Sequence, residues 1–508
     1  MSPLNFLIAI PLLAVAAILF GAPARRTAIG AAIANLLLTL FLLCTYDQKG
    51  PQFQFKSSFS ILPDWDLNFL VGADGLGLLM LLLTGIVSLA AILVTGKMER
   101  LEKQFYICLL LIVAGAVGAF ASLDLFFFYA FHELALIPTF LLIGIWGSGD
   151  RHAAAWKITL YLAVGSFILL LGLIGLYQIL PIGSRTFDII KLQDLAAHGQ
   201  LVSPQANTIY LFLLIGFGIL ISLFPFHTWA PQAYASAPAP ASMLHAGVLK
   251  KFGLYGLLRV ALPLLPQSAH HWTCLLTILL IGNILYVGLA TIGQKKLDLM
   301  LGYSSVMHMG YIFLGLASMN ILGLTGAAML MFAHGLSIAA LFAAAGQLRD
   351  RQSGSDRQSG SDRATTLAFS DLGGIAKAMP VLGLCFGLAA FASIGLPGFG
   401  NFASEILVFF GAFKHVAATS AKGLHFSEFQ ITTIVALWGV VISAVYMLRG
   451  YRAAFMGPLD SKRWQGLTDI TGSVRWALNL LIFALLVAGF YPQFFVNLLK
   501  PSLQAVLR

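Results

Sequence analysis

Long apolar runs are the feature that most constrains how this chain can fold. A helix needs roughly 20 apolar residues to cross a bilayer, and fourteen runs of about that length lie along the 508 residues. Only 10% of the residues are charged, whereas soluble domains carry about 25%. Lipid offers the backbone no hydrogen-bond partners, so spans must be helical. The sequence therefore predicts an all-α polytopic membrane protein, with residues 1–508 forming a single transmembrane domain.

The distribution of positive charge predicts the orientation of these spans. The predicted spans lie near residues 3–21, 28–44, 78–95, 104–120, 122–147, 154–178, 208–225, 240–260, 273–292, 298–319, 322–349, 378–412, 428–452 and 474–497. Nineteen of the 30 lysines and arginines fall on the side opposite the termini, and nine fall on the side of the termini. Because lysine and arginine accumulate on the cytoplasmic side, both termini are predicted to face the periplasm.

Two of the predicted spans are interrupted by helix-breaking residues. The seventh runs into "LFPFHTWAPQAYASAPAPAS", and the twelfth contains "SIGLPGFGNFASE". Proline removes a helical hydrogen bond and glycine loosens the backbone. The breaks hold corresponding positions in two five-helix units, helices 4–8 over residues 104–260 and helices 9–13 over residues 273–452. Such paired breaks indicate an inverted repeat with an ion pathway, although membrane helices also tolerate proline and glycine.

Several function classes are excluded by the patterns that the chain lacks. Its formal charge of +10 is scattered among loops, which argues against nucleic-acid binding. The four cysteines are isolated, so no metal or iron–sulfur site is predicted. GxSxG, Walker A and HExxH motifs are also missing. Residues 350–377, which repeat the unit DRQSGS, are predicted to be a polar cytoplasmic loop with a linking role only.

Ionisable side chains inside the predicted spans carry the functional information. Each costs several kcal/mol at the bilayer centre, and such residues usually mark ion or proton routes. The carboxylates and amines are Glu133 in span 5, Lys250 and Lys251 in span 8, and Glu405 after the break in span 12. The histidines are His132, His245, His308 and His334. Together they could form a row of titratable groups at mid-membrane depth, but for His132, His245 and His308 a purely structural role stays equally open.

Five stretches match a known family: "FHELALIPTFLLIGIWG", "FPFHTWAPQAYASAPAPASMLHAGVLKKFGLYGLLR", "LGYSSVMHMGYIFLGL", "FAHGLSIAALFAAAGQLRDR" and "GLPGFGNFASEILVFFGAF". They spread over most of residues 70–455. In these stretches the sequence resembles the antiporter-like subunits of respiratory complex I, most closely the M type. The resemblance implies 14 transmembrane helices with two inverted five-helix repeats and broken helices 7 and 12.

The resemblance also implies a function and a set of site residues. It implies a proton-translocating membrane-arm subunit of an NADH:quinone oxidoreductase in a bacterial inner membrane, beside chains of the L and N types. NADH, FMN, iron–sulfur clusters and quinone would belong to partner subunits, with no cofactor in this chain. The proton relay carried over by motif consists of Glu133, Lys251, His308, His334 and Glu405. A subunit of a cation/proton antiporter or of a membrane-bound hydrogenase, and a non-pumping structural subunit, remain alternatives.

The chain departs from the family pattern at four positions. Leu220 stands where the family has the helix-7 lysine that pairs with the helix-5 glutamate, His132 replaces a tryptophan, and Lys250 replaces a leucine. Asp298 stands at a further lysine position, with Lys295 three residues earlier and roughly on the same helix face. His132, Lys250, His245 and Lys295 are therefore candidates to compensate for the lost lysine. His132 is expected to point about 100° away from Glu133 around the helix.

Overall fold

The computed structural model describes residues 2–96, 98, 100–358, 367–414, 426–459, 464 and 468–507, with the backbone alone for residues 353–358. In chain order the described α-helices are α1 (Pro3–Leu19), α2 (Ala24–Thr45), α3 (Gly75–Val94), α4 (Glu102–Ala121), α5 (Leu125–Trp146), α6 (Arg151–Gln178), α7 (Ile189–Ala197), α8 (Ala206–Ile221), α9 (Trp229–Ser236), α10 (Ala239–Leu244), α11 (Lys251–Gly256), α12 (Leu262–Leu264), α13 (Pro266–His271), α14 (Thr273–Ile281), α15 (Gly288–Ile292), α16 (Leu297–Ala317), α17 (Ile321–Gln358), α18 (Pro380–Ile394), α19 (Gly400–Phe413), α20 (Glu428–Phe455), α21 (Gly472–Phe490) and α22 (Pro492–Val506). Two strands, β1 (Gln54–Leu62) and β2 (Leu67–Ala73), form the sheet.

The helices confirm the class of multi-pass membrane protein. Within the described residues, ten helices are long and apolar enough to cross a membrane by length and composition, when the continuous helical run Thr273–Ile292 from α14 to α15 is counted as one. Four shorter apolar helices, α1, α8, α18 and α19, accompany them. The central helices are the most enclosed: the candidate spans in α3 and α17 are 94% and 100% buried inside the chain. The buried row of ionisable residues therefore lies in a protein interior rather than against lipid.

Both predicted helix breaks are present. Helix α8 ends at Ile221, Ser222 follows in the left-handed region at φ 69, and α9 begins at Trp229. Helix α18 ends at Ile394, Gly395 adopts φ +83, and α19 begins at Gly400. Gly395 suits this position because glycine has no Cβ and adopts positive φ freely. Each break exposes backbone groups that helical hydrogen bonding would otherwise occupy.

The predicted eighth span is segmented, which the sequence did not predict. Between Ala239 and Leu264 the chain alternates α-helical segments with two π-helical segments, His245–Leu249 and Leu257–Ala261. A π segment adds a residue to a turn and is often found at functional sites. Lys250 follows the first of them, and both it and Lys251 are buried.

Two predictions, one about secondary structure and one about the last span, are wrong. The all-α prediction missed the antiparallel hairpin in which Phe59 pairs with Phe69, although the alternating stretch "FQFK" at residues 53–56 is typical of a strand. The last predicted span, 474–497, is two helices: α21 ends at Phe490, and α22 starts with Pro492 in its first turn, where proline is favoured because its missing N–H is not needed.

The predicted loop at residues 350–377 is shorter than expected. Helix α17 continues through the first residues of the DRQSGS repeat to Gln358. Residues 359–366 of that loop lie outside the described residues. After them the chain forms two short 3₁₀ turns, Phe369–Asp371 and Ile375–Lys377.

Helix α5, which carries Glu133, is anchored at its outer end. Asp124 caps the helix by accepting hydrogen bonds from the backbone N–H groups of Phe126 at 2.9 Å and Phe127 at 3.2 Å. Burial raises the pKa of Asp124 to about 6, and these backbone hydrogen bonds oppose the rise. The backbone N–H of Leu123 donates to the carbonyl of Leu70 in β2 at 2.9 Å. The hairpin therefore fixes where α5 begins.

Helices α17 and α19 approach each other through glycines. A Cβ at Gly326 would lie 2.5 Å from the backbone nitrogen of Val408, and one at Gly411 would lie 2.2 Å from that of Gly323. Small residues allow this close packing in membranes. It sets the position of Glu405, which lies on α19.

Replacing Gly326 by leucine is expected to destabilise the chain by about 1–3 kcal/mol, because backbone atoms must move to admit the side chain. Gly30 on α2 is a matched control, since a Cβ there meets nothing within 4 Å. Thermal melting of the detergent-solubilised protein measures both variants. Equal melting temperatures for Gly326→Leu and Gly30→Leu would contradict the packing described.

Candidate proton-transfer site

The helix breaks and the segmented helix bring ionisable side chains from both halves of the chain together. Following their contacts, they lie on α5, on the segmented helix from the first π-helical segment to α11, on α17, on α16 and on α19. Their members are His132, Glu133, His245, Lys250, Lys251, His308, His334 and Glu405. All except Glu133 have a buried side chain.

The pair on α5 is in direct contact. His132 Nδ1 lies 3.6 Å from Glu133 Oε1, although their positions differ by about 100° around the helix. The His132 ring stacks on Phe252, with centroids 4.1 Å apart, and this contact orients the imidazole. His132 is 6% exposed and Glu133 is 33% exposed, so the pair lies at the edge of the buried row.

Leu220 occupies an apolar place on α8. Its side chain packs close to Gly165 of α6, where a Cβ would lie 3.3 Å from Leu220 Cδ2. Of the described basic groups, only His132 forms an ion-pair contact with Glu133. Among the described basic groups, His132 is therefore the one that lies beside this carboxylate.

The two lysines of the segmented helix face different neighbours. Lys251 Nζ donates to the carbonyl of Ala246 at 2.6 Å and to His334 Nδ1 at 3.0 Å. Lys250 Nζ donates to Ser305 Oγ at 3.3 Å and lies 5.2 Å from the ring centroid of Tyr234. Tyr234 in turn contacts His245, with its hydroxyl 3.3 Å from Nδ1.

His308 and His334 continue the row into the second half. Their ring centroids are 5.4 Å apart. His308 Nδ1 lies 2.8 Å from the carbonyl of Ser304, and Nε2 lies 2.8 Å from the carbonyl of Ser393. A neutral imidazole has one N–H, so both contacts are hydrogen bonds only when the ring carries two protons. The position of His308 can thus accommodate an extra proton.

The break between α18 and α19 ends the row. Ser393, which accepts from His308, is two residues before Gly395, and a Cβ at Gly395 would collide with Glu405 Oε2. Glu405 is 5% exposed. The interruption therefore supplies a backbone carbonyl for His308 and space for the carboxylate of Glu405.

Four groups of the row keep a polar atom that is buried and has no hydrogen-bond partner among the described residues: His132 Nδ1, Glu133 Oε1, His334 Nε2 and Glu405 Oε1. Leaving such an atom unpaired costs about 1–3 kcal/mol. Stability alone does not account for a row of them. Free ring nitrogens and carboxylate oxygens are, however, what a chain of proton transfers needs.

Lys295 does not join the site. It is exposed and precedes α16, which begins at Leu297, so the prediction that it shares a helix face with Asp298 is wrong. Asp298 instead approaches Arg349, with Oδ2 and Nη2 3.7 Å apart. Arg349 also donates to the carbonyl of Ala237 at 3.0 Å.

Several residues that shape the site were missed by sequence analysis. Ser305 and Ser393 meet the ionisable groups directly, Tyr234 covers Lys250, and Phe252 orients His132. Of these residues, only Ser305 could have been recognised from the sequence. With Ser304 it places two adjacent hydroxyls in an apolar span, where hydroxyls need hydrogen-bond partners.

Comparison with known proteins identifies the family and the relatives of the chain. A family model described as NADH:quinone oxidoreductase/Mrp antiporter, transmembrane, matches residues 122–424. The chain is 37% identical over 443 residues to "NAD(P)H-quinone oxidoreductase chain 4 2" of Microcystis aeruginosa, covering 86% of this chain and 75% of the relative. It is 31% identical over 481 residues to "NADH-quinone oxidoreductase subunit M" of Rickettsia felis, covering 94% and 91%.

The fold has a counterpart among solved structures. A chain of the respiratory complex I of Thermus thermophilus with bound NADH superposes with a TM-score of 0.86 at 28% identity, covering 99% of both chains. The family match includes the two helix breaks and the ionisable residues from His132 to Glu405. The chain therefore belongs to the NADH:quinone oxidoreductase/Mrp antiporter transmembrane family.

Proposed function

We propose that the chain is a proton-translocating membrane-arm subunit of a complex I-type NADH:quinone oxidoreductase. The relatives named above are subunits of quinone oxidoreductases, and the superposed chain comes from a complete respiratory complex I. Chains of the L and N types are the proposed neighbours. NADH, FMN, iron–sulfur clusters and quinone are assigned to partner subunits, and the quinone reaction there drives proton movement here.

The helices support the topology that this function needs. The fourteen proposed spans are the ten long helices, α1, the pairs α8–α9 and α18–α19, and the segmented helix from Ala239 to Leu264. The two breaks fall at corresponding places in residues 104–260 and 273–452, as an inverted repeat requires. The charge bias of the loops supports termini on the periplasmic side of a bacterial inner membrane.

The single observation that carries the proposal is the contact of Lys251 with His334. It joins a buried amine of the first half to an imidazole of the second half at 3.0 Å. No described carboxylate lies within 4.0 Å of Lys251, so the contact is not part of a neutralised ion pair. Uncompensated amines are expensive in such a site. Proton exchange between the two groups explains why the chain retains them.

The proton path follows the order of the row. Glu133 and His132 receive a proton at the partly exposed edge, Lys251 passes it to His334, and His308 holds it between two carbonyls. Glu405 accepts it at the second break. Proton uptake by one group favours release from the next, because like charges in a low-dielectric interior repel strongly.

Two alternatives are separable by experiment. A cation/proton antiporter or membrane-bound hydrogenase would contain a chain of this kind, and flavin and iron–sulfur spectra of the purified complex distinguish them from a quinone oxidoreductase. A non-pumping structural subunit is favoured by Leu220, whose side chain cannot carry a proton.

Replacing Lys251 by leucine is expected to abolish proton movement through this subunit, because His334 then has no donor in the first half. The complex should still assemble, since an apolar side chain of similar size is usually tolerated in place of a buried charge. Protons moved per electron, measured in vesicles containing the purified complex, report the effect. An unchanged ratio would contradict the proposed function.

A further inference from the structure

The row has a gap where Leu220 replaces the expected basic group. His132 fills the place beside Glu133, but Phe252 covers the face of its ring. Among the described residues, the amine of Lys251 forms hydrogen bonds with Ala246 and His334 only. Neither contact joins the α5 pair to the centre of the molecule. Some other group must bridge this interval if a proton is to cross it.

Lys250 has the geometry of such a bridge. Its side chain is 1% exposed, and no described carboxylate lies within 4.0 Å of its amine. A buried amine without a counter-ion destabilises a fold, and packing does not require one here. Its amine lies over the Tyr234 ring, and a cation is attracted to the face of an aromatic ring.

The contacts of Lys250 lie on both sides of the junction between α9 and α16. On the first-half side, Tyr234 belongs to α9, the second piece of the broken seventh helix, and its hydroxyl lies 3.3 Å from His245 Nδ1. On the α5 side, His132 stacks on Phe252, which lies two residues after Lys250 in the segmented helix. On the second-half side, Ser305 is on α16, three residues before His308.

A cleft gives solvent access to the same pair of helices. It has a volume of about 250 Å³ and is lined by Gln232 and Ser236 of α9 and by Lys296 and Asp298 beside or on α16. Asp298 and Ser305 are seven residues apart, which is about 10 Å along a helix. The cleft faces the side that carries most of the lysines and arginines.

We propose that Lys250 carries protons across the junction between α9 and α16, in place of the basic group that Leu220 cannot provide. This inference rests on the proposed function. The amine takes up a proton from the side of His245 and Tyr234 and becomes an ammonium. It returns to the amine when it gives the proton up toward Ser305 and the row beyond it. In this proposal the basic group lies on the segmented helix, at Lys250, instead of on α8, at Leu220.

A reciprocal exchange tests this proposal in vesicles containing the purified complex. Lys250→Leu should lower the protons moved per electron to the value of Lys251→Leu, while quinone reduction in detergent continues. The double variant Leu220→Lys with Lys250→Leu should restore the ratio toward wild type, because it returns an amine to the direct route. Leu220→Lys combined with Lys251→Leu is the matched control and should restore nothing.

The outcomes separate this proposal from the proposed function. A wild-type ratio in Lys250→Leu, or a double variant no better than Lys250→Leu, would overturn the role of Lys250. If Lys250→Leu fails to assemble, Lys250→Gln replaces it: glutamine can still bond Ser305 but holds no proton, so a wild-type ratio again overturns the proposal. If Glu133→Gln and Lys251→Leu also leave the ratio unchanged, the proposed function itself fails.

Discussion

The variant Asp74→Leu is expected to lose about 3–5 kcal/mol of stability, because it leaves a buried arginine without its partner. Asp74 and Arg259 form a two-pronged ion pair, and their side chains are 0% and 1% exposed. Arg259 also donates to the Tyr255 hydroxyl at 3.3 Å and lies 4.9 Å from the Phe53 ring centroid. The pair thus connects α3, the segmented helix and the segment before the hairpin.

Two further variants separate the charge from the other roles of Asp74. Its carboxylate also caps α3 by accepting from the Gly77 N–H at 2.9 Å, which is worth about 1 kcal/mol. Asp74→Asn keeps a capping oxygen and removes the charge, so it should lose most of the stability as well. Asp74→Leu with Arg259→Leu removes both charges and should melt closer to wild type than either single variant. A wild-type melting temperature for Asp74→Leu would contradict the ion pair.

The helix breaks and the buried row were predictable because their signals are local. Proline and glycine inside an apolar run constrain the backbone wherever the run folds. Ionisable residues in such runs are rare enough for Glu133, Lys251 and Glu405 to be recognised without a structure. Glu405 also follows Gly395 closely in the sequence, so the two residues can come into contact across the second helix break.

What was missed depends on contacts between distant segments or on helix register. The π-helical segment His245–Leu249 shifts the lysines by a fraction of a turn, and no residue pattern announces it. The contact of His308 with Ser393 spans 85 residues. The approach of His132 to Glu133 depends on side-chain rotamers and on the Phe252 ring, which ideal helix geometry does not describe.

Replacing Glu133 by glutamine is expected to stop proton uptake at the outer end of the row. Glutamine has nearly the same shape but cannot bind and release a proton. His132 would keep its stacking on Phe252 and lose the carboxylate 3.6 Å away. The side chain is one-third exposed, so the fold should tolerate the change. Coupling should therefore be lost without loss of assembly.

A matched variant tests whether His132 replaces the lost lysine. His132→Phe keeps an aromatic ring against Phe252 but removes the group that faces Glu133. It should lower proton movement in the same direction as Glu133→Gln. Adding Leu220→Lys should return a basic group to the neighbourhood of Glu133 and recover part of the loss. A His132→Phe complex that pumps as wild type would assign the imidazole a structural role only.

The ratio of protons moved to electrons transferred, measured with Glu133→Gln in vesicles containing the whole complex, tests the central claim most directly. The other membrane-arm subunits continue to pump, so the account predicts a lower ratio rather than zero, equal to that of Lys251→Leu. Assembly and quinone reduction in detergent should match wild type. A wild-type ratio in both variants would show that no proton passes through this chain, and the chain would then be a structural part of the membrane arm.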